Sequence, residues 1–304
     1  MQKQEVSSLP FGRLITAIVT PFDERGDVDF TTFAELVDFQ FYHGVDSLVV
    51  CGTTGESPCL SVADKLALFA EARRVAAGRG PIIANVGSNC TAESVAFARE
   101  AQALGVEGLL VVVPYYNKPS QEGMYQHFRA VADAAPDTCV FVYNIPGRVV
   151  VDMEPSTLLR LAQDCPNVRA MKQAAVSPEH DRAILAGAPQ GFALYSGNDD
   201  RTLEMMEHGA AGVISTTSNV APAEMAELVN AAARGDRDTA HRMHERLEPL
   251  MKGLFEAPNP TLVKEALRLV GRPVGGLRLP LVSATPEQSA RLAQILEQTG
   301  VGVR

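Results

Sequence analysis

Val168-Arg169-Ala170-Met171-Lys172-Gln173-Ala174 follows a turn, Cys165-Pro166-Asn167, and passes into a loop of small residues, Ala174-Ala175-Val176-Ser177-Pro178. The run is short and largely apolar, and it reads as a buried strand that ends on a lysine. Burying an ammonium costs several kcal/mol unless it pairs or gives up its proton. An amine without its proton is a nucleophile for carbonyls. The plainer reading is a strand-end lysine whose stem packs while its head reaches water. The rest of the chain bears on that choice.

Outward from this stretch the same beat repeats. Apolar runs at 14–19, 47–51, 81–86, 108–113, 138–143, 168–174, 192–196 and 212–215 read as strands. Helical patterns at 30–43, 62–77, 91–104, 121–134, 155–163, 179–186 and 201–208 stand between them. The strands are near-continuous in apolar residues, as parallel strands buried on both faces require. Their connections are short. Eight such units closing on themselves make an α/β fold of the (β/α)8 TIM barrel type. An open doubly wound sheet is the rival, but no GxGxxG follows the first strand and no outer edge strand stands out. After residue 215 only helical patterns remain, at 222–234, 237–255, 261–270 and 286–298. The expected division is a barrel domain over 10–234 and a C-terminal helical domain over 235–300.

The 304 residues are 46% hydrophobic and 21% charged, enough for one barrel of the usual size, about 250 residues. A net charge of −9 argues against a nucleic-acid or anionic-membrane surface. Five cysteines, at 51, 59, 90, 139 and 165, form no CxxC pair and read as reduced thiols. Segment 1–10 is polar and lacks the apolar stretch of a signal peptide. No apolar run approaches the roughly 18 residues of a membrane span. The expected location is the cytoplasm.

In a (β/α)8 barrel the chemistry gathers at the C-terminal ends of the strands. That rule brings together Thr53 and Thr54, Tyr115, Tyr116 and Asn117, Tyr143 and Arg148, Lys172, then Ser196, Gly197 and Asp199, and Ile214 and Ser215. One amine, several hydroxyls and a guanidinium facing one pocket suit Schiff-base chemistry on a small keto acid. Each piece has a plainer reading. Gly52-Thr53-Thr54-Gly55 can be a tight turn, the tyrosines packing surface, and Arg148 a surface charge. Asp199-Asp200 stands where a helix cap is expected. The six histidines fall on helical patterns or their ends, and His241 with His244 reads as a solvated pair rather than metal ligands. No GxxxxGKS/T loop or GxSxG elbow occurs.

The motifs Ala17-Ile18-Val19-Thr20-Pro21-Phe22, Gly52-Thr53-Thr54-Gly55-Glu56-Ser57 and Pro114-Tyr115-Tyr116-Asn117-Lys118-Pro119 stand in that order. They are followed by Tyr143-Asn144-Ile145-Pro146-Gly147-Arg148, Ser196-Gly197-Asn198-Asp199, Gly209-Ala210-Ala211-Gly212-Val213-Ile214-Ser215 and Pro258-Asn259-Pro260. In this order the chain resembles the N-acetylneuraminate lyase superfamily of class I, lysine-dependent aldolases, from about Gly12 to Leu296. Within it the likeness is to the branch that condenses pyruvate with L-aspartate 4-semialdehyde in lysine (diaminopimelate) biosynthesis.

The resemblance implies that Lys172 forms the imine with pyruvate and that Tyr143 passes protons. Thr53 would link Tyr143 to Tyr116, a tyrosine that neighbouring subunits share across a dimer contact. Thr54 would hold the pyruvate carboxylate, Arg148 the carboxylate of the second substrate, and Gly197 and Ile214 would line the pyruvate pocket. It also implies a homotetramer built as a dimer of dimers, with no metal and no bound organic cofactor.

Two departures touch the second-substrate pocket. The lysine is followed by Gln173-Ala174-Ala175 where Glu-Ala and then a small hydroxyl residue or Gly is usual. Val149-Val150 stands where Thr-Gly is common. They leave open another pyruvate-dependent aldolase or dehydratase, for a sugar acid or other 2-keto acid. A barrel that only binds ligand is the remaining alternative. Asn89, Glu93 and Tyr115 match the family's regulatory lysine site, while Pro58, Val62 and Lys65 differ from its lysine-sensitive form.

Overall fold

Inward and outward side chains alternate along eight parallel strands: β1 (Leu14–Ala17), β2 (Ser47–Val50), β3 (Ile82–Asn85), β4 (Gly108–Val112), β5 (Cys139–Asn144), β6 (Val168–Gln173), β7 (Ala193–Ser196) and β8 (Gly212–Ser215). Each pairs with the next, and β8 returns to β1 through Leu14↔Val213, Ile15↔Ile214 and Thr16↔Ser215, so the barrel is closed. The computed structural model describes residues 11–302, and segment 1–10, expected to carry no leader, lies outside them.

Inward residues form their own apolar cluster. Ile15, Val49, Ile83, Leu110 and Ala170 point to the axis, and Phe11, Phe141 and Tyr195 fill its N-terminal end. Phe11 meets Phe141 edge-on at 4.8 Å, and the Tyr195 hydroxyl donates to Gly12 O at 2.9 Å. A barrel filled this way is a packed core, which leaves the C-terminal end for chemistry. Outward residues meet the helices α1 (Phe30–Tyr42), α2 (Val62–Ala76), α3 (Thr91–Ala103), α4 (Gln121–Ala134), α6 (Pro155–Asp164), α7 (Pro178–Gly187), α8 (Thr202–Glu207) and α9 (Pro222–Arg234). Several starts follow from local sequence. Asp29 accepts from Thr32 N–H, and Ser61 and Asp64 form a reciprocal capping box.

One element goes beyond the sequence expectation. Residues 146–149, read as a loop, form a single helical turn, α5 (Pro146–Val149). Pro146 presets φ at its first position, and Ile145 O accepts from both Arg148 N–H and Val149 N–H.

Beyond the barrel lie α10 (Arg237–Gly253), α11 (Thr261–Leu269) and α12 (Pro286–Thr299). The outer apolar cluster runs without a break from Met225 and Leu228 of α9 to Leu247, Leu262, Val263 and Leu292 of these helices. All five cysteines are free thiols. Among the described residues no helix is long and apolar enough to cross a membrane.

Candidate active site

Lys172 and Tyr143 are register partners on adjacent strands, β6 and β5. Each sits two residues beyond an inward residue of the packed core, Ala170 and Phe141, so the period of the strand aims both at the axis. Both are buried, at 6% and 4% exposure. The Lys172 Nζ stands 4.6 Å from the centre of the Tyr143 ring. The two buried ion pairs among the described residues, Arg201–Asp181 and Lys264–Glu56, leave Lys172 out. An amine held against a phenol, free of any carboxylate partner, is placed to attack a carbonyl and exchange protons.

The Gly52–Ser57 turn brings Thr54 to the same end of the barrel. Gly55 N–H and Ser57 N–H donate to Gly52 O, and Glu56 N–H donates to Thr53 O. Thr20 Oγ1 donates to Gly55 O at 2.8 Å and ties the turn to the end of β1. Thr54 is buried and Thr53 half-buried. Thr54 Oγ1 lies 3.4 Å from Thr216 Oγ1 and accepts from Asn259 Nδ2 at 2.9 Å.

Asp199 corrects the sequence reading of it as a helix cap. Its side chain turns inward, is buried, and accepts from Thr216 N–H at 3.0 Å and Thr217 N–H at 3.1 Å. Burial pushes its carboxyl above the usual range, against the hydrogen bonds that lower it. The α-helix that follows begins only at Thr202.

Gly197 follows β7, and Ile214 lies on β8. Gly197 N–H donates to Gln173 O at 2.7 Å, and a Cβ on Gly197 would come within 2.8 Å of Ala174 Cβ. Only glycine lets the β7 end lie this close to the lysine strand. Ile214 is buried and points inward from β8.

Two of the expected residues are exposed rather than buried with the others. Arg148 is exposed on α5. Tyr116 is 88% exposed, so the series Tyr143–Thr53–Tyr116 is not joined within one chain. Its outward direction is set by the backbone. Tyr116 and Lys118 have φ of +65° and +49°, and between them Asn117 exchanges hydrogen bonds with Asn89.

The departures also have a structural setting. Gln173 is fully buried and accepts from Asn144 Nδ2 at 2.9 Å and Ala175 N–H at 3.3 Å. Asp181, whose carboxyl burial pushes upward, lies nearby on Arg201. Val149 is buried, whereas Val150 is 67% exposed with φ of +72°.

Sequence reasoning gave no role to Asn259, Glu56, Lys264 or Thr216. Asn259 lies in the motif Pro258-Asn259-Pro260, and Lys264 stands among the buried apolar residues of α11, which was the available signal.

The sequence pattern of the dihydrodipicolinate synthetase family matches residues 10–299. The chain is 50% identical over 292 residues to a 4-hydroxy-tetrahydrodipicolinate synthase of Symbiobacterium thermophilum, covering 96% of this chain and 99% of that one. It is 45% identical to the enzyme of that name in Bacillus subtilis, covering 95% and 99%. Among solved structures, dihydrodipicolinate synthase of Cyanidioschyzon merolae with lysine bound superposes with a TM-score of 0.94 at 40% identity, covering 95% of this chain and 98% of that one.

Proposed function

The chain belongs to the dihydrodipicolinate synthetase family, and on that premise we propose how its barrel acts as a class I, Schiff-base-forming lyase. The reaction is the condensation of pyruvate with L-aspartate 4-semialdehyde to 4-hydroxy-tetrahydrodipicolinate, a step of lysine biosynthesis. The observation that carries the mechanism is the Lys172 amine, buried at the strand ends and 4.6 Å from the Tyr143 ring.

In this reading the amine adds to the keto carbon of pyruvate, and the resulting carbinolamine loses water to give an imine. Loss of a methyl proton then makes the enamine, whose carbon adds to the aldehyde carbon of the second substrate. The amino group of that substrate next adds to the imine carbon, closes the ring and expels the Lys172 amine. Tyr143 carries the protons, and such a group contributes about 10²- to 10⁴-fold. Thr54 donates its hydroxyl to the pyruvate carboxylate, Gly197 and Ile214 bound the pocket, and Arg148 receives the carboxylate of the semialdehyde. Tyr116, exposed and aimed outward, completes the relay through Thr53 in the site of a second copy, within a homotetramer. Residues 10–234 supply the amine and the phenol, and the helices of 235–300 steady the carboxylate-binding turn. The cytoplasm, where thiols stay reduced, suits the five free cysteines.

Borohydride added with pyruvate should inactivate the enzyme and leave a pyruvate-derived mass on Lys172, located by peptide mass spectrometry. Lys172→Ala should take up no mass. An adduct elsewhere, or none, would sink the mechanism. A second reading rests on Val149-Val150 beside Arg148, in which the partner is another aldehyde. Pyruvate consumption with the semialdehyde, compared with a panel of sugar-acid aldehydes, separates the two.

A further inference from the structure

The turn that carries Thr53 and Thr54 is bounded by two non-glycine residues in the left-handed region, Cys51 at φ +56° and Glu56 at φ +55°. Such backbone persists only where its surroundings hold it. Much of the hold comes from outside the barrel. The Glu56 side chain is fully buried, and its Oε1 lies 2.6 Å from the Lys264 Nζ of α11, itself 3% exposed. Its Oε2 accepts from Arg278 N–H at 2.9 Å. Lys264 also donates to Gly276 O at 2.8 Å and stands over the Phe22 ring. A buried ion pair is a weak source of stability beside apolar residues of equal volume, but it fixes two elements at one distance.

Asn259, two residues before α11, reaches the same turn. By donating Nδ2 to Thr54 Oγ1, it takes up one of that oxygen's two lone pairs. The Thr54 proton is then left to be given away, toward Thr216 Oγ1 or toward a ligand carboxylate.

We propose that the C-terminal helices set the pyruvate-binding turn, with Asn259 and the Glu56–Lys264 pair as its positioning residues. Asn259 fixes which way the Thr54 hydroxyl donates, and the ion pair fixes where the turn stands. The proposal rests on the reading of Thr54 as the group that holds the pyruvate carboxylate.

The test compares full-length wild type with Asn259→Ala, Lys264→Met and the double variant Glu56→Gln/Lys264→Met. Borohydride labelling of Lys172 is followed against pyruvate concentration, which needs no second substrate, beside KM for each substrate, kcat and Tm. Half-saturation by pyruvate should rise roughly five- to tenfold in Asn259→Ala, the loss of one hydrogen bond to the binding group. It should rise at least as much in Lys264→Met, with labelling still confined to Lys172 and the KM of the aldehyde unchanged. The double variant, which leaves no unpaired buried charge, should regain Tm while its half-saturation stays raised.

Half-saturation within twofold of wild type in Asn259→Ala overturns the proposal for that residue. The same result in the double variant reduces the ion pair to a structural role. If Lys264→Met does not fold, the other two variants decide. A wild type that is not labelled at Lys172 sinks the functional reading itself, whereas normal wild-type labelling with unmoved variants sinks only this inference.

Discussion

Val150 ends α5 with its backbone at φ +72° and ψ −30°, and its N–H donates to Pro146 O. The left-handed position after a helix is usually glycine, and a residue with a Cβ loses about 1–2 kcal/mol there. Glycine returns part of that gain through its greater freedom in the unfolded chain, about 0.5–1 kcal/mol. The Val150 side chain is mostly exposed, so little burial is lost on removing it. Val150→Gly should therefore stabilise the protein by about 0.5–1 kcal/mol and raise Tm by roughly 1–3 °C. An unchanged or lower Tm in a thermal melt would refute the strain. Single residues were legible in the sequence where a rule of the fold placed them. Lys172 and Tyr143 close strands, and the strand-end rule sends both to one site. Asn259 and the Glu56–Lys264 pair were not legible, because their partners stand about 200 residues apart in sequence and no local period encodes such a contact. Asp199 was misread because the N–H groups that donate to its carboxylate, of Thr216 and Thr217, belong to the turn after β8, an element away rather than in the helix that Asp199 precedes.

At the scale of elements, the barrel depends on one close approach. Gly212 opens β8 where it meets the segment entering β1, and a Cβ there would stand 1.9 Å from Arg13 O. The following residue, Val213, donates its N–H to that same oxygen at 2.9 Å. A methyl group cannot enter without parting the two strands that close the ring. Gly212→Ala should cost about 3 kcal/mol or more, in the range reserved for backbone clashes in a core. Gly147→Ala is the control. It lies in the α5 turn with open space around it, and should be neutral or slightly stabilising. Urea unfolding of both variants measures the contrast, and equal midpoints would show that the β1–β8 seam tolerates separation. That β8 returns to β1 was legible from the count of eight units closing on themselves, but the close approach of Gly212 to Arg13 was not, because apolar runs report burial and not which residue faces which. Helix α5 was missed because four residues are too few to show a period of 3.6.

Across the whole molecule, one outer apolar cluster joins the barrel helices to α10, α11 and α12, so no weak seam separates barrel from extension. A chain packed this way carries a local cost into its global stability, and His127 is where that cost depends on pH. Its ring lies buried on α4, with Nδ1 2.9 Å from Thr91 Oγ1 and Nε2 without a partner among the described residues. Burial pushes its pKa down from 6.5 to about 4. Between those values the unfolded chain binds a proton that the folded chain refuses, so stability falls as pH drops from 6.5 toward 4 and levels off below. The full loss is on the order of 3 kcal/mol. Asp181 and Asp199 act in the opposite sense. Burial raises their carboxyls, so their contribution is complete below about pH 4 and is lost as pH rises through their folded values. The wild-type curve is the sum of both, and a variant at position 127 isolates one part. His127→Gln keeps a hydrogen-bonding group for Thr91 and removes the titration. Urea midpoints measured from pH 4 to 7 should converge on a flatter line for the variant, with the largest gain over wild type at the acid end. Parallel curves would show that the imidazole takes up its proton without leaving the core.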